Sequence, residues 1–398
     1  SSPMSVVVVL SSLLLLVIFF SGACAEEKQG EPDPLLMKHV SVERGTHIMS
    51  LKCGDKTNQG RILSCGHDAI GKSKVEGWAK AASPTRALDY HNHHFNSDRW
   101  DLLNLSGSDI VVSAISKSGT TPAPQWTQAI VSTLLLITGN WPPLDGEAAL
   151  DRAQWVDLRM MPPFVLAEQM KGQERFARRV LKTHLPLDGL RFDPNVKYIN
   201  VVRDPRDVAW SLYNHYKVVT PAWYGAVNSD PLVGPPVPQF DGKVNSEKQI
   251  FNDWILNDNF WAWNFWHHAH TWWSYRHLPN VLHVHFANLK KDTKGEVKRI
   301  AGFLGIEVTD DQLEHVLAKT TIESMRVDKL MFSNMADVMF EGGRESFFYK
   351  GTNTRWKDVL TQADNDALEK KAKEKVPADL WEFLKTGNYP PTGSKAEL

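Results

Sequence analysis

Strand patterns alternate with helix patterns through the middle of this chain. The apolar run at 110–115 predicts a strand, and the stretch at 126–137 that follows it predicts a helix. The same order recurs downstream, where strands are predicted at 179–183, 196–202 and 280–286, and helices at 164–179, 207–216 and 293–304. Strands that alternate with helices form parallel sheets, so we expect a single α/β domain with a central parallel sheet flanked by helices.

Two stretches of the chain depart from this alternation. Residues 221–243 are rich in proline and glycine, which predicts a long loop of the kind that often forms a lid or a wall of a binding site. Residues 251–275 form a helical stretch with many tryptophans, and core packing accounts for most of those rings.

The N-terminal residues have the composition of a targeting segment. Residues 5–20 are almost wholly apolar, and Ala23-Cys24-Ala25 has the small-x-small form of a signal-peptide cleavage site. The apolar run is short for a membrane span, but an uncleaved signal anchor is the alternative to a cleaved peptide at 1–25. We therefore expect entry into the secretory pathway, with the Golgi lumen or secretion as the destination. A cytoplasmic location would follow only if this segment is an error of the gene model.

Composition limits the ligands that the chain is expected to bind. Its 398 residues carry a net charge of −1, with 45 basic and 46 acidic side chains. This balance does not suggest nucleic-acid binding, but it permits a local basic pocket for one small anion. Cys53 and Cys65 follow the apolar leader, and two cysteines in an oxidising lumen most simply pair with each other. Two unpaired thiols in a weakly structured segment are the alternative.

The loop between the first strand and its helix has the composition of an anion-binding site. Residues 117–121 read Lys-Ser-Gly-Thr-Thr. Backbone N–H groups and hydroxyls at the start of a helix can bind a phosphate, and Lys117 adds a positive charge. The loop lacks the longer glycine-lysine pattern of ATP-binding P-loops, which makes a nucleotide kinase the weaker alternative. On its own, the pentapeptide would fit a surface turn equally well.

Three further segments carry residues of the same chemistry. His184 stands just past a predicted strand, in Leu-Lys-Thr-His-Leu-Pro, where a general base is expected in an α/β fold. Arg203 ends the next strand, and Ser211 lies on the following helix, so one phosphate could contact both. Lys350 and Gly351 belong to a basic loop near the C-terminus. Taken singly, these residues would fit a buried histidine or a solvated surface.

In this order and spacing the four segments resemble the sulfotransferases that use 3′-phosphoadenosine 5′-phosphosulfate (PAPS). The resemblance runs from about residue 89 to 360, with Asn92–Trp100 as its lead-in, and it identifies 251–275 with a structural helix of the family through His268, Trp272 and Trp273. It implies that the strand–loop–helix is a P-loop-like site for the 5′-phosphosulfate, formed by Lys117, Ser118, Gly119, Thr120 and Thr121.

The resemblance also implies roles for the other residues. His184 would be the catalytic base, and Lys117 would stabilise the leaving phosphate oxygen, with Lys182 as a weaker candidate for that task. The 3′-phosphate and adenine of PAPS would be bound by Arg203, Ser211, Lys350, Gly351, Trp126 and Phe286. The implied reaction is in-line transfer of a sulfuryl group to a hydroxyl or amine of a small phenol, alcohol or glycan, without a metal.

Several positions depart from the family pattern. The insert at 122–125 separates the phosphate loop from Trp126, and we expect it to bulge out before a helix that begins near Trp126, so that the ring is displaced from adenine. A genuine insert and a gene-model error are both compatible with the sequence. Phe286 replaces a tyrosine, Tyr349 an arginine and Thr354 a glycine.

These departures keep a second hypothesis open, a catalytically silent secreted relative that binds a ligand without transfer. The predicted organisation is a leader at 1–25, an irregular extension at 26–88, the sulfotransferase domain at 89–386 and a tail at 387–398. A membrane is an expected partner only if the leader is an uncleaved anchor. The sequence specifies neither the acceptor nor the oligomeric state.

Overall fold

A five-stranded parallel sheet forms the centre of the protein, whose structure is a computed structural model. The structure describes residues 62–64, 72–118, 123–144, 148–230, 236–237, 239–240, 246–258, 264–328, 335–348 and 351–390. The strands in chain order are β1 (Ile62–Ser64), β2 (Leu88–Tyr90), β3 (Ile110–Ala114), β4 (Ala153–Trp155), β5 (Val180–Thr183), β6 (Lys197–Val202) and β7 (Val281–His285). The central sheet has the order β4-β5-β3-β6-β7, and all its neighbouring strands are parallel.

Helices and short helical turns connect and cover the strands. The helices are α1 (Lys72–Trp78), α2 (Ala123–Ile137), α3 (Pro163–Gly172), α4 (Pro205–Tyr216), α5 (Pro221–Val227), α6 (Glu247–Ile250), α7 (Phe265–Ser274), α8 (Phe286–Lys291), α9 (Thr293–Leu304), α10 (Asp310–Lys319), α11 (Ile322–Val327), α12 (Met335–Met339), α13 (Gly343–Phe347), α14 (Gln362–Lys375) and α15 (Ala378–Thr386). The predicted α/β fold with a flanked parallel sheet is confirmed.

The two faces of the sheet bury two separate cores. Successive strand side chains point to opposite faces, so Val111 of β3 belongs to one core, and Ile110 and Val112 belong to the other. Helices α2, α9 and α10 cover the second face with buried aliphatic side chains. Helices α4 and α7 cover the first face, where the tryptophans of α7 are packed as predicted.

The segment predicted as a long loop at 221–243 begins with a helix, so that prediction was wrong at its start. The Thr220 side chain accepts a hydrogen bond from the Trp223 N–H, and Pro221 occupies the first turn of α5. Proline is favourable there, because its fixed φ suits a helix and its missing N–H has no partner at this position. Trp223 and Val227 are buried, which anchors the helix to the core.

Two other expectations about local structure were also incomplete. The stretch 251–275 is not one continuous helix, because a π-helical segment at Phe251–Leu256 is followed by Asp258 with a left-handed φ of 55°, and α7 starts only at Phe265. Within 26–88, predicted as irregular, the described residues include α1 and β1, which pairs in parallel with β2.

Several N-terminal predictions lie outside the described residues. These are the leader at 1–25 and the pairing of Cys53 with Cys65. Among the described residues, none of the helices has the length and apolar character that crossing a membrane requires.

Candidate active site

The carboxyl ends of the central strands bring four of the predicted site residues to one edge of the sheet. Lys117 follows β3, His184 follows β5, Arg203 follows β6 and Phe286 follows β7. Parallel pairing sets these ends level, since Ser113 of β3 is opposite Thr183 of β5 and Ala114 is opposite Val201 of β6. In open α/β sheets this edge is where ligands bind.

The phosphate loop starts in a conformation that few side chains adopt. Lys117 has a left-handed φ of 70°, and the Ser118 N–H donates to the Ile115 carbonyl at 3.1 Å. The Ser118 hydroxyl is buried and has no hydrogen-bond partner within the described residues. Burial lowers the pKa of Lys117 well below its usual value, and the nearby charges of Lys182 and Arg203 lower it further.

The Trp126 ring packs against another residue that was predicted to bind adenine. Helix α2 begins at Ala123, not near Trp126, so the expected bulge before the helix was wrong. The ring of Trp126 packs edge-to-face on Phe286 at a centroid distance of 5.7 Å, and the Arg203 guanidinium lies 4.6 Å from the centre of the Phe286 ring. The residues predicted for adenine therefore lie together with the residue predicted for the 3′-phosphate.

The orientation of His184 fixes its tautomer. Its Nδ1 lies 2.6 Å from the Ala114 carbonyl oxygen, which can only accept, so Nδ1 carries a proton that it donates there. The lone pair of the neutral ring is then on Nε2. Burial lowers the pKa of His184 well below its usual value, and the charge of Lys182 lowers it further. The imidazole is therefore neutral near pH 7, as a general base must be.

Lys182 is a buried cation in an aromatic setting. Its Nζ lies 4.2 Å from the centre of the Trp155 ring, and the same ring packs edge-on against His184 at 4.7 Å. Burial lowers the pKa of Lys182 to about 7, against the opposing effect of the Asp157 carboxylate. Lys182 can thus stabilise negative charge close to the base.

Asp157 is a site residue that the sequence analysis missed. It is completely buried, and its carboxylate accepts hydrogen bonds from the indole N–H groups of Trp100 and Trp155 and from the His184 backbone N–H, at 3.1–3.3 Å. Because the strand β4 before it has only three residues, no periodicity pointed to this position.

The C-terminal loop that was predicted to bind the 3′-phosphate is hydrogen-bonded to Arg203. The Arg203 guanidinium donates from Nε to the Asn353 side chain at 3.0 Å and from Nη2 to the Thr352 carbonyl at 2.8 Å. Its Nη1 is buried and has no hydrogen-bond partner within the described part of the chain. Asp207 accepts from the Thr354 N–H at 2.7 Å, which holds the loop from a second side.

Ser211 and Gly351 also lie at this end of the sheet. Asp204 caps α4 by accepting from the Arg206 N–H, and Ser211 is buried two turns further along that helix. Gly351 has a left-handed φ of 62°, which favours glycine, and its carbonyl accepts from Lys290 Nζ at 2.5 Å. Lys290 was not predicted from the sequence.

The remaining predicted ligands fall in two gaps of the described chain. Gly119, Thr120 and Thr121 of the phosphate loop, and Lys350 of the C-terminal loop, lie outside the described residues. Their roles stay predictions.

The described residues fit a ligand that carries several negative charges. Lys117, Lys182 and Arg203 are each at most 6% exposed, and the charges of Lys182 and Arg203 both act to lower the pKa of Lys117. Burying mutually repelling cations at one sheet edge is costly unless an anion compensates them. No group of His, Cys, Asp and Glu side chains in the described ranges could hold a metal ion.

Comparison with known proteins identifies the family. Residues 107–378 match the model of the sulfotransferase domain. A glycolipid sulfotransferase of Mycobacterium bovis is 32% identical over 312 residues, which cover 73% of this chain and 91% of that protein. Sulfotransferase 2A1 of Macaca fascicularis is 26% identical over 292 residues, which cover 71% of this chain and 90% of that protein.

Solved structures show the same fold. Retinol dehydratase in complex with androsterone and the inactive cofactor PAP matches with a TM-score of 0.54 at 20% identity, covering 74% of this chain and 85% of that one. Mouse sulfotransferase SULT7A1 complexed with PAP matches with a TM-score of 0.52 at 19% identity, covering 72% and 91%. The chain belongs to the family of PAPS-dependent sulfotransferases, and the predicted sulfuryl transfer is its reaction.

Proposed function

We propose that this protein sulfates a hydroxyl group on the sugar of a glycolipid. A relative that is 32% identical over most of both chains is a glycolipid sulfotransferase, which supports this acceptor. Carbohydrate was one of the acceptor classes predicted from the sequence, alongside small phenols and alcohols. Aromatic rings at the site support a ring-shaped acceptor, since Phe95 and Trp155 both pack on His184.

The observation that carries the proposed chemistry is the contact between His184 and Ala114. Because Nδ1 donates to the carbonyl, the lone pair of the neutral ring is on Nε2, which would accept the proton of an acceptor hydroxyl. The pKa of His184 is lowered by burial, so the ring enters the reaction unprotonated, and the developing positive charge must be compensated by the anion that is bound beside it.

We assign two lysines to the leaving group. Bound PAPS supplies the sulfuryl group that is transferred. Lys117 would stabilise the charge that develops on the phosphate oxygen, and Lys182 would assist it from the end of β5. Arg203, Ser211 and Gly351 would hold the 3′-phosphate end, with Trp126 and Phe286 against the base.

Transfer assays with labelled PAPS test this proposal. The full chain is offered a glycolipid, its delipidated sugar, a monohydric phenol and an amino sugar at equal concentrations. We expect the highest kcat/KM with the glycolipid. Transfer to the phenol alone would contradict the proposed acceptor, and binding of PAP without transfer to any acceptor would favour the catalytically silent alternative.

We also propose that the protein acts in the secretory pathway, with the Golgi lumen or the exterior as its site. The apolar run at 5–20 and the Ala23-Cys24-Ala25 sequence support this. Expression of the full chain in a secreting eukaryotic cell, followed by N-terminal sequencing and non-reducing peptide mapping, tests it. We expect luminal protein with Cys53 linked to Cys65. Uncleaved cytosolic protein with both thiols free would contradict the proposal.

A further inference from the structure

A second imidazole, that of His215 on α4, lies within electrostatic range of Lys117 and Lys182. His215 lies four residues after Ser211, so the two side chains are on the same face of the helix, one turn apart. Ser211 is predicted to contact the nucleotide. His215 is therefore expected next to the nucleotide site, one helical turn beyond Ser211. The family resemblance assigned no role to His215.

Electrostatic coupling places His215 near residues from three other elements. Burial lowers the pKa of His215 well below its usual value, and the charges of Lys117, His94 and Lys182 lower it further. The charge of His94 also acts on the pKa of His184. Ring contacts also run from His215 through Tyr216 and Trp223 to His94, so His215 and His184 share a neighbour although they belong to different elements.

The surroundings of the two additional imidazoles are aromatic. The ring of His215 packs on Phe340 at 4.8 Å and on Phe347 at 6.4 Å, both from the C-terminal helical segment. The ring of His94 packs on Trp223 of α5 at 5.6 Å. Aromatic faces with interspersed hydrogen-bonding groups suit a sugar, which has apolar C–H faces and a rim of hydroxyls.

The Nδ1 atom of His215 is buried and makes no hydrogen bond to any described residue. A buried polar atom that stays unpaired is destabilising, and it is usually satisfied by water or a ligand. Packing alone does not account for this atom, because phenylalanine would fill the same space between Phe340 and Phe347 without the unpaired nitrogen.

We propose that His215 Nδ1 hydrogen-bonds a second hydroxyl of the acceptor, one that is not sulfated, and so selects sugars over monohydric acceptors. This inference rests on the proposed function, because it presumes a carbohydrate acceptor whose reacting hydroxyl gives its proton to His184. The acceptor would span the two imidazoles, with one hydroxyl at His184 and a neighbouring hydroxyl at His215.

Two variants and a matched control test the role of His215. His215→Phe keeps an aromatic ring against Phe340, and His215→Asn keeps a polar atom near the position of Nδ1. His315→Phe changes an exposed histidine of α10 and serves as the control. For each protein, kcat/KM is measured with labelled PAPS for a glycoside and for a monohydric phenol, and PAP affinity is measured by calorimetry.

We expect His215→Phe to lower kcat/KM for the glycoside by about 10- to 100-fold, because one acceptor hydroxyl would be left without its partner. The values for the phenol and for PAP should stay within about two-fold, and His215→Asn should recover part of the loss. An unchanged ratio of glycoside to phenol in His215→Phe would overturn the inference, and a loss of PAP affinity would assign His215 to the nucleotide instead. A wild-type protein that transfers only to the phenol would instead refute the proposed acceptor.

Discussion

The pH above which kcat/KM for PAPS falls should depend on Asp157. Burial lowers the pKa of Lys182 to about 7, and the Asp157 carboxylate is the charge that opposes this effect. Asp157→Asn removes the charge with little change in volume. An opposite charge a few ångströms away shifts a pKa by about one to three units, and we expect the lower end because the carboxylate is shared among several donors.

The sign of the pH dependence follows from the cationic form of Lys182. The lysine is charged below its pKa and neutral above it, so kcat/KM for PAPS, which reports the free enzyme, should fall as the pH rises through about 7. In Asp157→Asn the fall should occur about one pH unit lower, which corresponds to about 1.4 kcal/mol. The negative charge of bound PAPS should raise the pKa of Lys182 in both proteins, so kcat should persist to higher pH than kcat/KM.

Initial rates with labelled PAPS from pH 5 to 9 measure both profiles. Asp366→Asn, which changes an exposed carboxylate of α14, is the control and should leave the profile unchanged. The amide introduced by Asp157→Asn can accept from only some of the donors that the carboxylate serves, so a loss of about 1–3 kcal/mol in unfolding free energy is expected and is followed by thermal melting. A folded variant whose kcat/KM profile coincides with that of the wild type would refute the reasoning.

Four further outcomes are expected. His184→Ala should lower kcat by about 10²–10⁴-fold while calorimetry finds PAP affinity within a few-fold, and near-native turnover would refute the base. Arg203→Lys should weaken PAP by about 10-fold or more but adenosine 5′-monophosphate hardly at all, and equal losses would move the residue away from the 3′-phosphate. Deleting 122–125 removes the first three residues of α2, a rise of about 4.5 Å, and should weaken PAP binding and lower the melting temperature; tighter binding would contradict this. Hydrogen bonds and charges of His91 and Arg86 outweigh burial and hold the pKa of Asp98 well below its usual value. Asp98→Asn should therefore lower the melting temperature at pH 7, and by progressively less below about pH 4. A difference in melting temperature that stays constant with pH would contradict this linkage.

The sequence predicted those site residues whose positions follow from the order of strands and helices along the chain. Lys117, His184 and Arg203 each follow a strand with a clear apolar pattern, and parallel pairing alone carries such positions to one edge. Ser211 is placed by the helix that follows Arg203. For these residues, sequence position and strand direction sufficed.

The parts that were missed depend on tertiary contacts. Asp157 follows a strand too short to show a period, and Lys290 acts on the carbonyl of Gly351, which is 61 residues away in the chain. His215 looked like any residue of an amphipathic helix, since only the neighbours contributed by other elements distinguish it. No local pattern encodes such contacts.

Proline misled the sequence analysis twice, for the same physical reason. Pro221 was assigned to a loop and Pro124 to a bulge, but each lies in the first turn of a helix, where a missing N–H removes nothing from the hydrogen-bond ladder. In α2 the consequence bears on function. Helix α2 already begins at Ala123, so three of the four insert residues extend the helix, and Trp126 packs on Phe286 beside Arg203. The insert at 122–125 kept the silent relative open as a hypothesis, and its described residues do not separate Trp126 from Phe286 and Arg203, where the adenine and the 3′-phosphate are expected.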